Sequence, residues 1–556
     1  MSISALFTIA LRLRPAALVL TLGLLSSSAL AAESGSLRSP SGGEVRALVI
    51  GIDAYRNVRP LRGAAADARD IEGALRGSGV QDITALIDDQ VSRDAVMAAI
   101  EGLTARSRPH DLVILTLAGH GAQEPERVKG SHPDGLEDVF LLPGFEASAT
   151  GSQERIFGAE FNHLIKQIEQ RGARVLFVAD TCYGGGMARE VDPRAAELSF
   201  RQVPSYRLSV DLLKPIATTS DEMLTELDFE RTAFLAAVDR KTKSPEVKIP
   251  GVSGLRGALS YAVARAIEGG ADADGDGKTT LNELFTNVRQ VVYQLSDQRQ
   301  NIVTTTPPSL DLHANVVFEF TRAVKVLESS NVAAPPAPPA LPAPPAEFDR
   351  PIRIASLDGK NTQFANLPTH EVPFEVVRPA DNPDLIWDPV SHDVVAWGDV
   401  IAYRVDLRDL PSVIDRAAAI RELKRIAVKT PQSLKVVPND ALHHKDAVVQ
   451  LEVSDLAGRA LVLFNIAGDG TVQLLYPIAS DSPVVRDSSF RFPVRVRAPY
   501  GSDQIIAVTS QERMLALEQA VQQLNRRRSA VQMIKMLQRY APGDARIGSA
   551  GVFTAP

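Results

Sequence analysis

At 556 residues the chain is too long for one ordinary hydrophobic core, so two or more domains are expected. Its 60 Lys and Arg against 67 Asp and Glu give a formal charge of −7 with no basic stripe and no interleaved aromatic platform, which argues against a nucleic-acid binder. A single cysteine, Cys182, excludes an internal disulfide and confines any thiol chemistry to one position.

Residues 1–31 read as a signal peptide: Arg12 and Arg14 precede the apolar run 16–25, and Ala29-Leu30-Ala31 offers a small-residue cleavage site. An exported protein, periplasmic or secreted, is expected. The apolar run is short for a transmembrane helix and no second one follows, so no stable membrane span is expected after cleavage. Residues 32–44 are rich in Ser and Gly and read as a flexible lead-in. A buried strand at 46–52, a helix at 64–75, a strand at 83–87 and a helix capped by Ser92 follow, the last with Val96, Ile100 and Leu103 on one face. A strand at 111–117 completes an alternation that predicts a parallel sheet with helices on both faces. Next come a loop at 124–136, a short strand at 139–142, a helix near 159–170, and the apolar strand 175–179.

Two of these strands end in chemistry. The strand 175–179 runs into Asp180-Thr181-Cys182, and the strand 111–117 runs into Ala118-Gly119-His120-Gly121. In open α/β sheets, ligands sit at the carboxyl ends of strands. If the two strands are neighbours, His120 can draw off the Cys182 thiol proton, while the N–H groups of Gly121 and Cys182 can hold an oxyanion. A lone buried cysteine is usually an inert small hydrophobe, and a lone histidine a satisfied polar residue. Here both follow apolar strands and both are hemmed by glycine, which favours a catalytic dyad.

Gly119-His120-Gly121 followed by Asp180-Thr181-Cys182-Tyr183-Gly184-Gly185 resembles the paired signature of caspase-like cysteine peptidases, especially bacterial metacaspase-like members. The opening LVIGIDAY at 48–55 and LRGAAADA at 61–68 are similar to that family's first strand and helix, and the likeness spans about 45–320. The resemblance implies a caspase-like domain at 45–325, with a mostly parallel sheet flanked by helices. It implies a cysteine endopeptidase acting on protein or peptide substrates through an acyl-thioester, with Cys182 as nucleophile, His120 as general acid/base and no cofactor needed for the chemistry. It also implies a specificity pocket lined by Asp67 and Asp180, hence cleavage after Arg or Lys, and a substrate loop at 239–246 that starts with Asp239. Asp67 read alone is equally a helix-face charge. Ala118, Ala64 and Ala66 depart from the residues usual in metacaspases, which leaves fine specificity open. In the family the region after the nucleophile is often cut; here Arg189, Arg194 and Arg201 are candidate processing sites, and an uncut surface loop fits equally well. The rival readings are a gingipain-like or legumain-like peptidase, and a non-catalytic envelope scaffold.

The stretch 272–283 matches an EF-hand loop: Asp272, Asp274 and Asp276 at positions 1, 3 and 5, Lys278 giving its carbonyl at 7, and Glu283 at 12. It is a candidate Ca2+ site, although Gly269-Gly270 interrupts the incoming helix and a polar connector would look the same. The Pro/Ala-rich linker at 326–348 marks a boundary. Residues 349–556 predict a β-rich α+β domain, with strands near 400–405, 447–453, 461–466, 472–476, 490–496 and 504–508 and closing helices at 511–524 and 530–540. This part resembles an uncharacterised domain often attached to bacterial caspase-like peptidases, and it reads as a binding or targeting module for an unknown ligand. His443 and His444 read as solvated.

Overall fold

The computed structural model describes residues 36–321 and 348–556, apart from 133, 149, 183–191, 193, 195–198, 202, 204–205, 216–223, 225–227, 239–243, 298, 369–370, 439–441 and 479–480. The segment 1–31, nearly all of 326–348, Arg189 and Asp239 therefore lie outside the described residues.

Six strands make the central sheet: β1 (Val45–Gly51), β2 (Asp82–Ile87), β3 (Leu112–Ala118), β4 (Arg174–Asp180), β5 (Thr232–Ala236) and β6 (Val303–Thr305). Their order is β6-β5-β4-β3-β1-β2, parallel throughout except for the antiparallel edge strand β6. Every residue of β1 and β3 is buried, which is why both read as unbroken apolar runs rather than as alternating ones. One face packs Ala47, Val49, Ile114 and Val178 against α1 (Ala64–Gly77), α4 (Ala258–Arg265) and α5 (Leu281–Leu295). The other face packs Leu48, Ile50, Val113 and Leu115 against α2 (Arg93–Arg106) and α3 (Gly158–Gln170). The Ser92 hydroxyl accepts the Ala95 N–H at 3.2 Å, capping α2 as its sequence predicts.

Strands β3 and β4 are direct neighbours in parallel register, with Ala118 opposite Asp180. Their carboxyl ends thus deliver His120 and Cys182 to one edge of the sheet.

Two local expectations change, and the glycine interruption before the acidic loop is seen as expected. The lead-in is not wholly flexible: Ser36–Arg38 pairs antiparallel with Val316–Thr321, because Leu37 finds an apolar seat and is 4% exposed. The start of the expected loop belongs to a strand, Gly121–Pro125, which pairs with Leu136–Leu141 and fixes the chain leaving His120. The incoming helix before the acidic loop ends at Arg265 and runs on as a π turn, Ala266–Gly270, where Gly269 takes φ +92.

Residues 348–556 build three further sheets. One of the two five-stranded sheets carries Ala460–Ile466, Ser502–Ser510 and Arg546–Ala555 side by side. Its main core closes around α6 (Leu410–Ala427), an 18-residue helix that the strand-dominated reading missed, together with Leu515–Leu524 and Ala530–Tyr540. Arg416 and Glu422 are buried on α6, which blurs its amphipathic pattern. His443 is buried in a strand beside Arg546–Ala555, whereas His444 is exposed, so only the second is solvated.

The two halves touch through Tyr293 of α5, which joins the cluster of Leu434, Val436 and Leu451. Ion pairs Arg299–Asp399 at 2.6 Å, Lys424–Asp297 at 2.6 Å and Arg194–Asp388 at 2.9 Å cross the same contact. Arg194 therefore sits on the far half of the molecule rather than at the sheet edge. Among the described residues, no helix is long and apolar enough to cross a membrane.

Candidate active site

His120 and Cys182 are both fully buried at the shared strand edge. The His120 backbone N–H donates to the Tyr55 hydroxyl at 2.7 Å, and that hydroxyl lies 3.2 Å from the Leu141 carbonyl. The Tyr55 ring packs 4.6 Å from the imidazole, centroid to centroid. Nε2 of His120 lies 2.7 Å from the Arg59 carbonyl oxygen. A carbonyl only accepts, so Nε2 carries the proton; Nδ1, buried and without a hydrogen-bond partner among the described residues, is the lone-pair nitrogen of a neutral imidazole. Burial lowers the His120 pKa, with the carbonyls of Arg59 and Arg201 and the Glu246 carboxylate opposing. A base held neutral with a free lone pair can accept a proton.

The Cys182 sulfur accepts the Ser244 N–H at 2.7 Å and lies 3.4 Å from the Ser244 carbonyl. Burial pushes the thiol pKa up to about 12, against smaller help from the Ser244 N–H and the Arg201 charge. In this closed arrangement the sulfur is a thiol, not a thiolate.

What closes it is the chain's own segment 199–201. Phe200 pairs antiparallel with Pro245; the Glu246 N–H donates to the Ser199 carbonyl at 2.8 Å, and the Arg201 N–H donates to the Ser244 carbonyl at 3.1 Å. The Arg201 carbonyl oxygen accepts the Gly121 N–H at 3.1 Å. An extended tripeptide thus lies beside the strand Glu246–Lys248, with the carbonyl of its last residue on the candidate oxyanion donor. Downstream, Tyr206 donates to Glu124 at 2.5 Å, and Asp211 pairs with Arg155 at 2.8 Å, so the chain is anchored beyond Arg201 too.

The Arg201 side chain enters the acid pair. Its guanidinium bonds Asp67 through Nη2 and reaches the Asp180 carboxylate and carbonyl through Nη1, both at 3.0 Å; all three side chains are fully buried. Asp180 also accepts the N–H and hydroxyl of Ser260 at 2.9 and 2.8 Å, and Asp67 accepts the Gly257 N–H at 3.0 Å. Burial disfavours the Arg201 cation, but Asp180, Asp67 and Glu246 outweigh it and raise its pKa. Burial also pushes the Asp67 carboxyl well up, with Arg201 opposing and Asp180 adding. These directions pull against each other; the guanidinium keeps its proton across the ordinary range, so two carboxylates share one fixed cation. Gly257 makes room for this: a Cβ there would stand 2.1 Å from Asp180 Oδ2 and 2.6 Å from Arg201 Nη1.

The acidic loop is a separate feature. Asp272, Asp274 and Asp276 each bring a carboxylate oxygen within 4.8 Å of the others. Glu283 stands outside that group: one oxygen accepts the Ala273 N–H at 3.2 Å, and the other takes the Thr280 N–H and hydroxyl in a capping box that starts α5. Lys278 lies in a short strand and donates its N–H to Asp276 at 2.7 Å. The three aspartates suit a hard cation, whereas the Glu283 carboxylate is engaged elsewhere.

The structure brings together five residues that the sequence singles out, namely Asp67, His120, Gly121, Asp180 and Cys182. It adds Tyr55, Arg59, Ser244, Glu246, Gly257 and Ser260. Tyr55 lies inside the opening motif, but its hydroxyl role has no sequence signature. Glu246 is fully buried and accepts the N–H groups of Arg62 and Gly63, tying the segment around it to the start of α1.

Residues 44–310 match the family model described as caspase domain, and this segment holds all the site residues named above. Over 152 residues the chain is 31% identical to Metacaspase-1 of Saccharomyces cerevisiae, covering 26% of this chain and 34% of that protein. Metacaspase-1A of Aspergillus niger is 26% identical over 152 residues, covering 26% of this chain and 36% of that one. The chain thus spans about a third of the length of these curated relatives. Among solved structures, the Drosophila initiator caspase Dronc matches with a TM-score of 0.30 and 10% identity, covering 50% of this chain and 82% of that one. Caspase-1 from Spodoptera frugiperda matches with a TM-score of 0.28 and 11% identity over 48% of this chain and 86% of that one.

Proposed function

We propose that the chain is a caspase-like cysteine endopeptidase that cleaves after basic residues, first of all in itself, after Arg201. One observation carries the reading: segment 199–201 is seated as an extended peptide, with a basic side chain between two buried aspartates and its carbonyl oxygen on the Gly121 N–H. The family match over residues 44–310 supports the reaction class.

In the proposed reaction the Cys182 thiol gives its proton to His120 Nδ1 as Sγ attacks the carbonyl carbon. The oxyanion is held by Gly121 N–H, joined by Cys182 N–H. Collapse breaks the C–N bond, and the imidazolium protonates the departing amine. Water then attacks the thioester, with His120 taking its proton, and releases a carboxylate and the free thiol. The neutral imidazole and the protonated thiol of the closed form suit an uncut state, because a desolvated thiol is a poor nucleophile until water and substrate can enter. Asp67 and Asp180 would hold the incoming Arg or Lys as they hold Arg201. The chemistry routes no step through a metal. The rest of the reading, an exported protein whose 349–556 half binds an unknown ligand, stands on the sequence features above.

The test compares the full chain with Cys182→Ala on fluorogenic peptides ending in Arg, Lys, Asp or Asn, with intact-mass measurement of each protein after incubation. Expected are cleavage after Arg or Lys and a mass step after Arg201, both absent in Cys182→Ala. Cleavage after Asp or Asn would overturn the basic pocket, and no cleavage by folded protein, added arginyl peptides included, would return the scaffold reading.

A further inference from the structure

A cavity of about 350 Å3 lies between the two halves of the molecule, and neither His120 nor Cys182 lines it. One wall comes from the segment 245–255 and from the chain after α5; the other comes from the strand Ile352–Ser356, the hairpin around Trp397, and α6. Eight arginine and lysine side chains line it, against three aspartates. Each aspartate is already matched: Asp297 with Lys424 at 2.6 Å, Asp384 with Lys248 at 3.5 Å, Asp399 with Arg299 at 2.6 Å. The lining thus holds five more basic side chains than acidic ones.

Arg416 is the telling one. It is 4% exposed and lines the cavity, and it spends Nε and Nη2 on the carbonyl oxygens of Ala467 and Ser502, with Nη2 also 3.3 Å from the Ser502 hydroxyl. No carboxylate lies within ion-pair distance of it among the described residues. Burial disfavours its charge and lowers its pKa, and the Asp503 carboxyl opposes this most strongly. Arg353 also lines the cavity: Nη1 is held by the Asn382 carbonyl at 2.7 Å, and its ion-pair partner among the described residues, Glu375, stands 3.9 Å away and is exposed. The lining also has an apolar and aromatic part, with Leu295, Leu385, Ile401 and Trp397, and the Lys248 ammonium sits 5.0 Å from the Trp397 ring centre.

We propose that this cavity binds a small organic polyanion: at least two phosphate or carboxylate charges met by Arg353 and Arg416, on an apolar or aromatic body lying against Trp397. The volume is that of a small-molecule site rather than of a few trapped ions. Planar guanidinium groups suit bidentate capture of phosphate or carboxylate oxygens. This assignment stands apart from the peptidase reading, since it needs neither His120 nor Cys182.

The test uses the full Cys182→Ala chain, so that no cut intervenes. Trp397 is one of only two tryptophans, and its fluorescence is followed while ATP, inorganic triphosphate or citrate is added in the presence of EDTA, with sodium sulfate at matched ionic strength as the control. A Trp397→Phe variant assigns the signal, and calorimetry measures affinity without it. Expected is saturable binding by at least one of the three probes, tenfold or more tighter than sulfate. That binding should weaken at least tenfold in Arg353→Glu, checked as folded by its melting curve. Stronger binding of ATP than of triphosphate would assign the aromatic wall to a base-like body, whereas equal binding would restrict the proposal to the charges. Absence of saturable binding by all three, affinity no better than sulfate, or unchanged affinity in Arg353→Glu would overturn it.

Discussion

Replacing Arg201 by alanine removes a cation that two fully buried carboxylates share. Breaking a buried ion pair from one side costs about 3–5 kcal/mol, because the remaining charge is left uncompensated. Here the remaining charges are two, but the vacated space also lets water reach them, so a loss near the lower bound, about 3 kcal/mol, is expected. For a domain of this size that is a fall of about 6–12 °C in melting temperature. The measurement is a melt of Arg201→Ala in the Cys182→Ala background at pH 7.5 and at pH 5. The deficit should shrink at the lower pH, where one of two facing carboxylates can take up a proton and relieve the repulsion. Agmatine, a free guanidinium on a short chain, should restore part of the loss in Arg201→Ala and leave the Arg201 protein unchanged. If Arg201→Ala melts with its parent at both pH values and ignores agmatine, the acid pair is not a cation-binding pocket and the specificity argument fails with it.

Gly257→Ala would drive a methyl into Asp180 and Arg201, and overpacking of this kind costs about 1–3 kcal/mol; denaturant unfolding gives the loss, and activity on arginyl peptides should fall more steeply than stability does. In the uncut form the Cys182 pKa lies near 12 against an ordinary 9.0, so its stabilising contribution is whole below pH 9 and drains away as pH rises toward 12. Melts of the uncut protein between pH 8 and 11 should fall less steeply for Cys182→Ala. His120 has the opposite sense: its folded pKa is lowered, so stability is lost as pH falls below the free imidazole value of about 6.5, and His120→Phe should flatten that limb. At the acidic loop, calcium held by Asp272, Asp274 and Asp276 without the bidentate Glu283 should be weak, in the range of about 0.1–1 mM. A calcium-dependent rise in melting temperature that Asp274→Asn abolishes is the expected result, and identical melts in 5 mM calcium and in chelator would remove the site.

Apolar runs such as 111–117 and 175–179 are legible because both faces of a central parallel strand are covered, so the chain spells burial without help from its neighbours. The glycine-flanked His120 and the strand-end Cys182 are legible for a related reason: a strand terminus and a small-residue turn are local, and they already say which way a side chain can emerge. Asp67 and Asp180 could be proposed as a pair only through resemblance, since 113 residues of chain separate them and nothing local aims one at the other. α6 escaped because charged Arg416 and Glu422 sit on faces that the fold buries, so its pattern is amphipathic only to a reader who knows both of its neighbours.

The tertiary structure decided what fills the cleft. As a sequence, 189–230 is a polar loop with several arginines, and Arg201 is no more distinctive than Arg194. Folded, Arg194 is spent on Asp388 and Asp393 of the other half, while Arg201 alone is threaded between two buried acids with its carbonyl on Gly121. Likewise, no stretch of the sequence announces the cationic cavity, because its walls are drawn from segments more than 100 residues apart and each arginine looks locally like a solvated surface charge. Covalent neighbours set which residues can do chemistry. Pairings across the chain, governed by long-range burial and by charge that must be compensated once water is excluded, set which of them meet.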